Sequence, residues 1–387
     1  MSTIESASGG LAMADKLYQN RGGRARELKA QGKKVIGYFC NYPPVEFLTA
    51  LDLVPFRIMG RPPKATSHAD TCLETIICPY LRSCFDMALD GSYDFLDGLV
   101  VPHSCDVVQR IYDIWKYYCK PAYSHFLNVP HMTQPSSFEF FKKELALYQR
   151  SLENFTGKQI SPDGLRNAIK LHNENRALLR ELYEFRKLVP PLVSGTEATK
   201  ILVAGLTIPA AEFNELLRSV VEEVKKRPHG SKTKRPRILL YGCEMDDITF
   251  VQLVESIGAD VVIDDLCIGS RSFWLDVPKT SDPLDGLAEH YLEGIRCPRT
   301  YKPSISGHQS DLDNRFGYLL KYVKDFHVDG AILSIMMYCD THELDVPDVK
   351  EILQKSGVKV LHLDNDYSMS NIGQLRVRIE AFLELIA

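Results

Sequence analysis

The stretch Lys33–Gly60, KKVIGYFCNYPPVEFLTALDLVPFRIMG, decides the fold. A short apolar run, Val35–Phe39, ends at Cys40; Pro44 opens a helix, and a second apolar run begins near Val54. Short apolar runs alternating with amphipathic helices mark βαβ units, because parallel strands are covered on both faces and need no polar alternation. The pattern returns in Arg235–Leu266, RPRILLYGCEMDDITFVQLVESIGADVVIDDL. There the run Ile238–Tyr241 leads to Cys243, a helix follows, and Val261–Ile263 forms the next run.

A further pair of segments echoes in the same way. FLDGLVVPHSCD (Phe95–Asp106) and HVDGAILSIMMYCD (His327–Asp340) each run Asp-Gly, apolar strand, Cys-Asp. The chain therefore reads as α/β, with two doubly wound parallel-sheet (flavodoxin-like) halves joined by a helical segment. Residues 1–34 form an N-terminal helical extension, 35–132 the first α/β domain, 133–232 the helical segment with a basic linker, and 233–387 the second α/β domain. In the helical segment, Gly157 closes one helix; Ser161 and Pro162 open the next, which Pro190-Pro191 stops. Ala210–Arg227 makes another helix, and the strand Val358–Leu363 and a last amphipathic helix complete the second half.

Composition excludes several classes. The formal net charge of −4 lacks the basic surplus of a nucleic-acid-binding protein, and the run Lys225–Arg237 reads as a linker. No apolar run nears the roughly 18 residues of a membrane span, and no secretory signal pattern opens the chain, so the expected location is the cytoplasm. There is no P-loop, no G-x-G-x-x-G after either opening strand, no G-x-S-x-G and no H-E-x-x-H. Asp246-Asp247 and Asp264-Asp265 read as caps and solvated turns.

Ten cysteines remain, with no C-x-x-C among them. Any metal they hold must gather them from distant loops. Cys40, Cys105, Cys243 and Cys339 fall at strand ends, where open parallel sheets bind ligands. Cys78 precedes Pro79 at a helix entry, a position that favours a thiolate. From placement alone, these residues are either iron ligands or small buried core thiols.

CNYPPVEFLTALDLVPFRIMG, CPYLRSCFDMALDGSYDFLDGLVVPHSCDVVQRIYDIW, DDLCIGSR and MMYCDTHELDVPDVKEIL together resemble the 2-hydroxyacyl-CoA dehydratase and benzoyl-CoA reductase subunits. The similarity runs from about Lys33 to the C-terminus and is greatest to the C-subunit branch of ATP-dependent benzoyl-CoA reductase. It implies a [4Fe-4S] cluster held by Cys78, Cys105 and Cys339, with Cys84 as a neighbour or alternative and a double-cubane cluster as a variant in relatives. Cys40, Cys72, Cys119, Cys243, Cys267 and Cys297 match no ligand block and read as core. The implied partners are benzoyl-CoA or another acyl-CoA, a related second cluster-binding subunit, and an ATP-hydrolysing iron–sulfur activator through which alone ATP acts. The implied reaction is low-potential, radical dearomatisation of benzoyl-CoA to a cyclohexadiene-carbonyl-CoA in anaerobic aromatic degradation. The alternatives are dehydration of a 2-hydroxyacyl-CoA through a ketyl radical anion, and a cluster-carrying partner subunit without its own substrate site. A buried cluster with few hydrogen bonds to its sulfurs suits a very negative potential. His103 and Glu46 sit where a catalytic proton donor would be needed.

Overall fold

The computed structural model describes residues 9–62, 64–228, 235–302, 304 and 306–386; the first eight residues of the N-terminal extension and 229–234 of the basic linker lie outside them. Two short helices come first, α1 (Gly10–Gln19) and α2 (Gly23–Ala30). The first half then alternates β1 (Val35–Tyr38), α3 (Val45–Ala50), β2 (Val54–Arg57), α4 (Pro79–Leu89), β3 (Gly98–Pro102), α5 (Asp106–Cys119) and β4 (Tyr123–Leu127). Four helices follow: α6 (Pro135–Thr156), α7 (Pro162–Lys187), α8 (Gly195–Gly205) and α9 (Ala210–Lys225). The second half runs β5 (Arg237–Gly242), α10 (Thr249–Ser256), β6 (Asp260–Asp265), α11 (Ser270–Phe273), α12 (Pro283–Glu289) and α13 (His308–Asp325). It ends with β7 (Gly330–Met336), α14 (Asp340–Glu343), α15 (Val346–Lys355), β8 (Lys359–Asn365) and α16 (Ile372–Ile386).

The sheets share one topology. Their orders are β2-β1-β3-β4 and β6-β5-β7-β8, and every pairing is parallel. β1, β2, β3, β5 and β7 are buried at every residue, which explains their unbroken apolar runs. The echoing segments occupy equivalent places: β1 matches β5, and β3 matches β7. In each sheet these are the two strands where the winding reverses, so their carboxyl ends flank the crevice in which doubly wound folds bind ligands.

The two crevices face each other. Arg57 at the end of β2 pairs with Glu244 just beyond β5, and Asn41 Nδ2 donates to the Cys267 carbonyl at 2.5 Å. Tyr80 and Tyr367 meet edge to face with centroids 5.4 Å apart. Cys243, Met336 and Tyr367 of the second half are packed into a core cluster built mainly from the first. α7 joins the halves from the side, through Arg176 to Glu46 and through Arg186 to Asp264. The start predicted for α7 is observed, with Ser161 Oγ accepting the Gly164 N–H at 3.0 Å. The acidic pairs differ from their reading as solvated turns. Asp246, Asp264 and Asp265 are buried and hold Arg21, Arg186 and Arg271, because the inter-sheet region is too dry to leave a guanidinium or a carboxylate alone. Asp247 does sit in a turn, one residue before the N-cap of α10, where it accepts the Thr249 N–H at 2.8 Å.

Candidate iron–sulfur site

Three cysteines begin helices at the junction between the sheets. Cys78 is the N-cap of α4 with Pro79 at the first helical position, Cys105 the N-cap of α5, and Cys339 the N-cap of α14. Cys105 Sγ accepts the Val108 N–H at 3.5 Å. The N–H groups of Tyr80 and Leu81 lie against Cys78, and that of His342 against Cys339, close enough to favour a thiolate. α4 and α5 add the positive ends of their dipoles; α14 is one turn and contributes essentially its N–H alone.

The thiols lie within one another's electrostatic reach. Burial raises the pKa of Cys78, and the charges of Cys339 and Cys105 push it further. Burial likewise pushes Cys105 up to about 12, with the Val107 and Val108 N–H groups pulling it down and Cys339 pushing it up. Cys339 is raised first by the neighbouring Cys243 thiol and then by burial. Without a cation these groups stay protonated. A positively charged iron–sulfur core supplies what their burial withholds, so the donor set fits such a group. The three sulfurs do not converge on one point as ligands of a single ion would; among the described residues Glu343, His362 and Asp364, along α14 and β8, do.

More thiols approach than the sequence blocks indicate. Cys297 is felt by Cys105, Cys40 and Cys267, and burial raises the pKa of Cys40 to about 12. Arg271 and Arg299 favour the Cys297 thiolate against its burial. Cys40, Cys243, Cys267 and Cys297 thus border the same space. The signal for Cys40 and Cys243 is the repeat itself, since they follow equivalent strands; Cys297 has no such signal. Cys84 feels Cys78 but lies beside Tyr80 and Asp246. Cys119 lies apart, near Asp94 and Cys72. Cys40 and Tyr338, each beside the crevice, adopt φ values of 60° and 64°, in the left-handed region.

A polar chain backs Cys339. Asp265 Oδ2 pairs with Arg271 Nη2 at 3.0 Å, Arg271 Nη1 stands 2.8 Å from His342 Nε2, and His342 Nδ1 stands 3.3 Å from Cys339 Sγ. Arg271 Nη1 also lies 3.7 Å from Cys267 Sγ. Nitrogen-bound donors thus lie against Cys105 and Cys267, and a ring nitrogen against Cys339.

The two proton-donor candidates differ in state. Glu46 is fully buried in the first turn of α3, bound by Arg176 Nη2 at 2.8 Å and Tyr291 Oη at 2.6 Å. Against the upward push of burial, Arg176, His172 and Tyr291 hold its pKa down to about 2, so it carries no proton near neutral pH. His103 is half-buried past the end of β3, with Nδ1 3.3 Å from Asn128 Oδ1 and its ring 4.8 Å from that of His131.

The family model described as 2-hydroxyglutaryl-CoA dehydratase, D-component, matches residues 40–386. The chain is 28% identical to the C-subunit of benzoyl-CoA reductase from Thauera aromatica, over 89% of this chain and 88% of the relative. It is 24% identical to the (R)-phenyllactyl-CoA dehydratase beta subunit of Clostridium sporogenes, over 93% and 94% of the two chains. Identity to the beta subunit of (R)-2-hydroxyglutaryl-CoA dehydratase from Acidaminococcus fermentans is 26%, over 92% and 93%.

Proposed function

The chain belongs to the family of the 2-hydroxyglutaryl-CoA dehydratase D-component, and from that premise we propose that it is the iron–sulfur subunit of an enzyme acting on an acyl-CoA thioester. Cys78, Cys105 and Cys339 hold a [4Fe-4S] cluster in this reading. The observation that carries it is that three half-buried N-cap thiols stand within one another's electrostatic reach at the facing crevices. Such a cluster, when bound, supplies single electrons of low potential.

The residues of this chain do the rest. The helix starts orient three sulfurs and favour their thiolates, and the surrounding core excludes water. Glu46 acts as a fixed anion that positions Arg176 and Tyr291 rather than as a proton donor. His103, half-exposed and free to exchange with solvent, remains the candidate to deliver a proton.

The first specific reading is reduction of benzoyl-CoA to a cyclohexadiene-carbonyl-CoA, which takes up two electrons and two protons. A second cluster-binding subunit and an ATP-hydrolysing activator would complete that system. The dehydratase reading is favoured by the description of the family model and by the dehydratase relatives; there the electron is returned and water is lost. Consumption of stoichiometric reductant with benzoyl-CoA supports the first, and turnover of a 2-hydroxyacyl-CoA on catalytic reductant the second.

A variant of the cofactor also has a specific observation behind it. Cys40, Cys267 and Cys297 form a second interacting thiol group beside the first, as a double-cubane cluster would require. Iron content separates the two forms.

A further inference from the structure

His342 lies three residues after Cys339, and its ring is buried between an arginine and that thiol. Its chemistry follows from its neighbours. A guanidinium has only donors, so at 2.8 Å Arg271 Nη1 donates and His342 Nε2 accepts. A ring whose Nε2 accepts is neutral and carries its one proton on Nδ1. That nitrogen stands 3.3 Å from Cys339 Sγ.

Arg271 cannot easily turn away. It is buried, with Nη2 on Asp265 at 3.0 Å and Nη1 also on the Gly242 carbonyl at 2.8 Å. Tyr318 Oη holds Asp265 Oδ2 from the other side at 2.7 Å. The Gly242 carbonyl also reaches the ring, but it already accepts from Arg271 Nη1, so the held arginine selects the tautomer with the proton on Nδ1.

We propose that His342 is a positioning residue that donates a permanent Nδ1–H to the Cys339 sulfur and thereby sets the reduction potential of the cluster that Cys339 helps to hold. This rests on the cluster reading above. Reduction adds negative charge to the thiolate-bound core, and an N–H donor stabilises that charge more in the reduced state. The donor raises the potential, and its loss lowers it.

The test is a redox titration, followed by EPR, of the anaerobically purified full chain and its His342→Phe and His342→Asn variants, with iron measured on each. The proposal expects all three to carry the same iron, a more negative midpoint in His342→Phe, and a midpoint nearer wild type in His342→Asn, whose amide nitrogen stands where Nδ1 stood and restores an N–H. An unchanged midpoint in iron-replete His342→Phe, or equal iron loss in both variants, overturns it. Wild-type chain without iron fails the cluster reading instead, and the tautomer can then be judged separately. Ring ¹⁵N shifts showing a proton on Nε2 of His342 overturn the donor assignment whether or not iron is present.

Discussion

Arg176 Nη2 stands 2.8 Å from Glu46 Oε1, and both side chains are buried. The pair joins the first helix of the first half to the long helix α7. Tyr291 closes on the second carboxylate oxygen, so Glu46 is satisfied on both sides.

Removing one partner leaves a buried charge alone, which typically costs about 3–5 kcal/mol. Glu46→Gln therefore lowers stability markedly. The pH dependence has a definite sign. Glu46 is depressed from 4.5 to about 2 in the folded chain, so its stabilisation is present above pH 4.5 and lost as pH falls through 2. Urea unfolding across that window shows a steeper loss in wild type than in Glu46→Gln; parallel curves contradict the assignment.

Arg57 and Glu244 tie the tips of the two sheets. Arg57 is 1% exposed, and burial raises the Glu244 pKa even with the arginine beside it. Arg57→Met leaves that carboxyl to take up a proton and loosens the docking of the halves. The expected result is a loss of about 1–3 kcal/mol, the cost of leaving the buried partners of Arg57 without their donor, with one unfolding transition splitting towards two. A variant as stable and as cooperative as wild type rejects the tie.

Gly242 ends β5 where the backbone of β7 passes closest. A Cβ there would stand 2.2 Å from the Ser334 carbonyl oxygen, so the strands must separate to admit it. Gly242→Ala is expected to cost about 1–3 kcal/mol and to disturb Cys243, the next residue. Thermal unfolding measures it, and an unchanged midpoint contradicts the close approach.

The architecture is legible because buried parallel strands leave unbroken apolar runs, and VIGY, LLYG, GLVVP and GAILSIM all stand where their runs predict. β4, YSHFL, leaves no such run because its three middle residues are only half-buried and its sequence mixes polar with apolar groups. α8 is absent from the sequence reading despite the Ser194–Glu197 capping box that starts it. At the candidate site, the helix-entry position of Cys78 is readable from Pro79. The approach of Cys297 and the Asp265–Arg271–His342 chain are not, since they depend on loops meeting across the two halves and leave no periodic trace.

The central claim is that Cys78, Cys105 and Cys339 hold a cluster, and iron with acid-labile sulfide in the anaerobically purified chain tests it most directly. The account predicts about four irons per chain, lost in Cys78→Ala, Cys105→Ala and Cys339→Ala and retained in Cys119→Ala. About eight irons, reduced in Cys40→Ala, Cys267→Ala and Cys297→Ala, would assign the double-cubane form instead. Soluble chain, co-purified with its partner subunits and free of iron, would contradict the account.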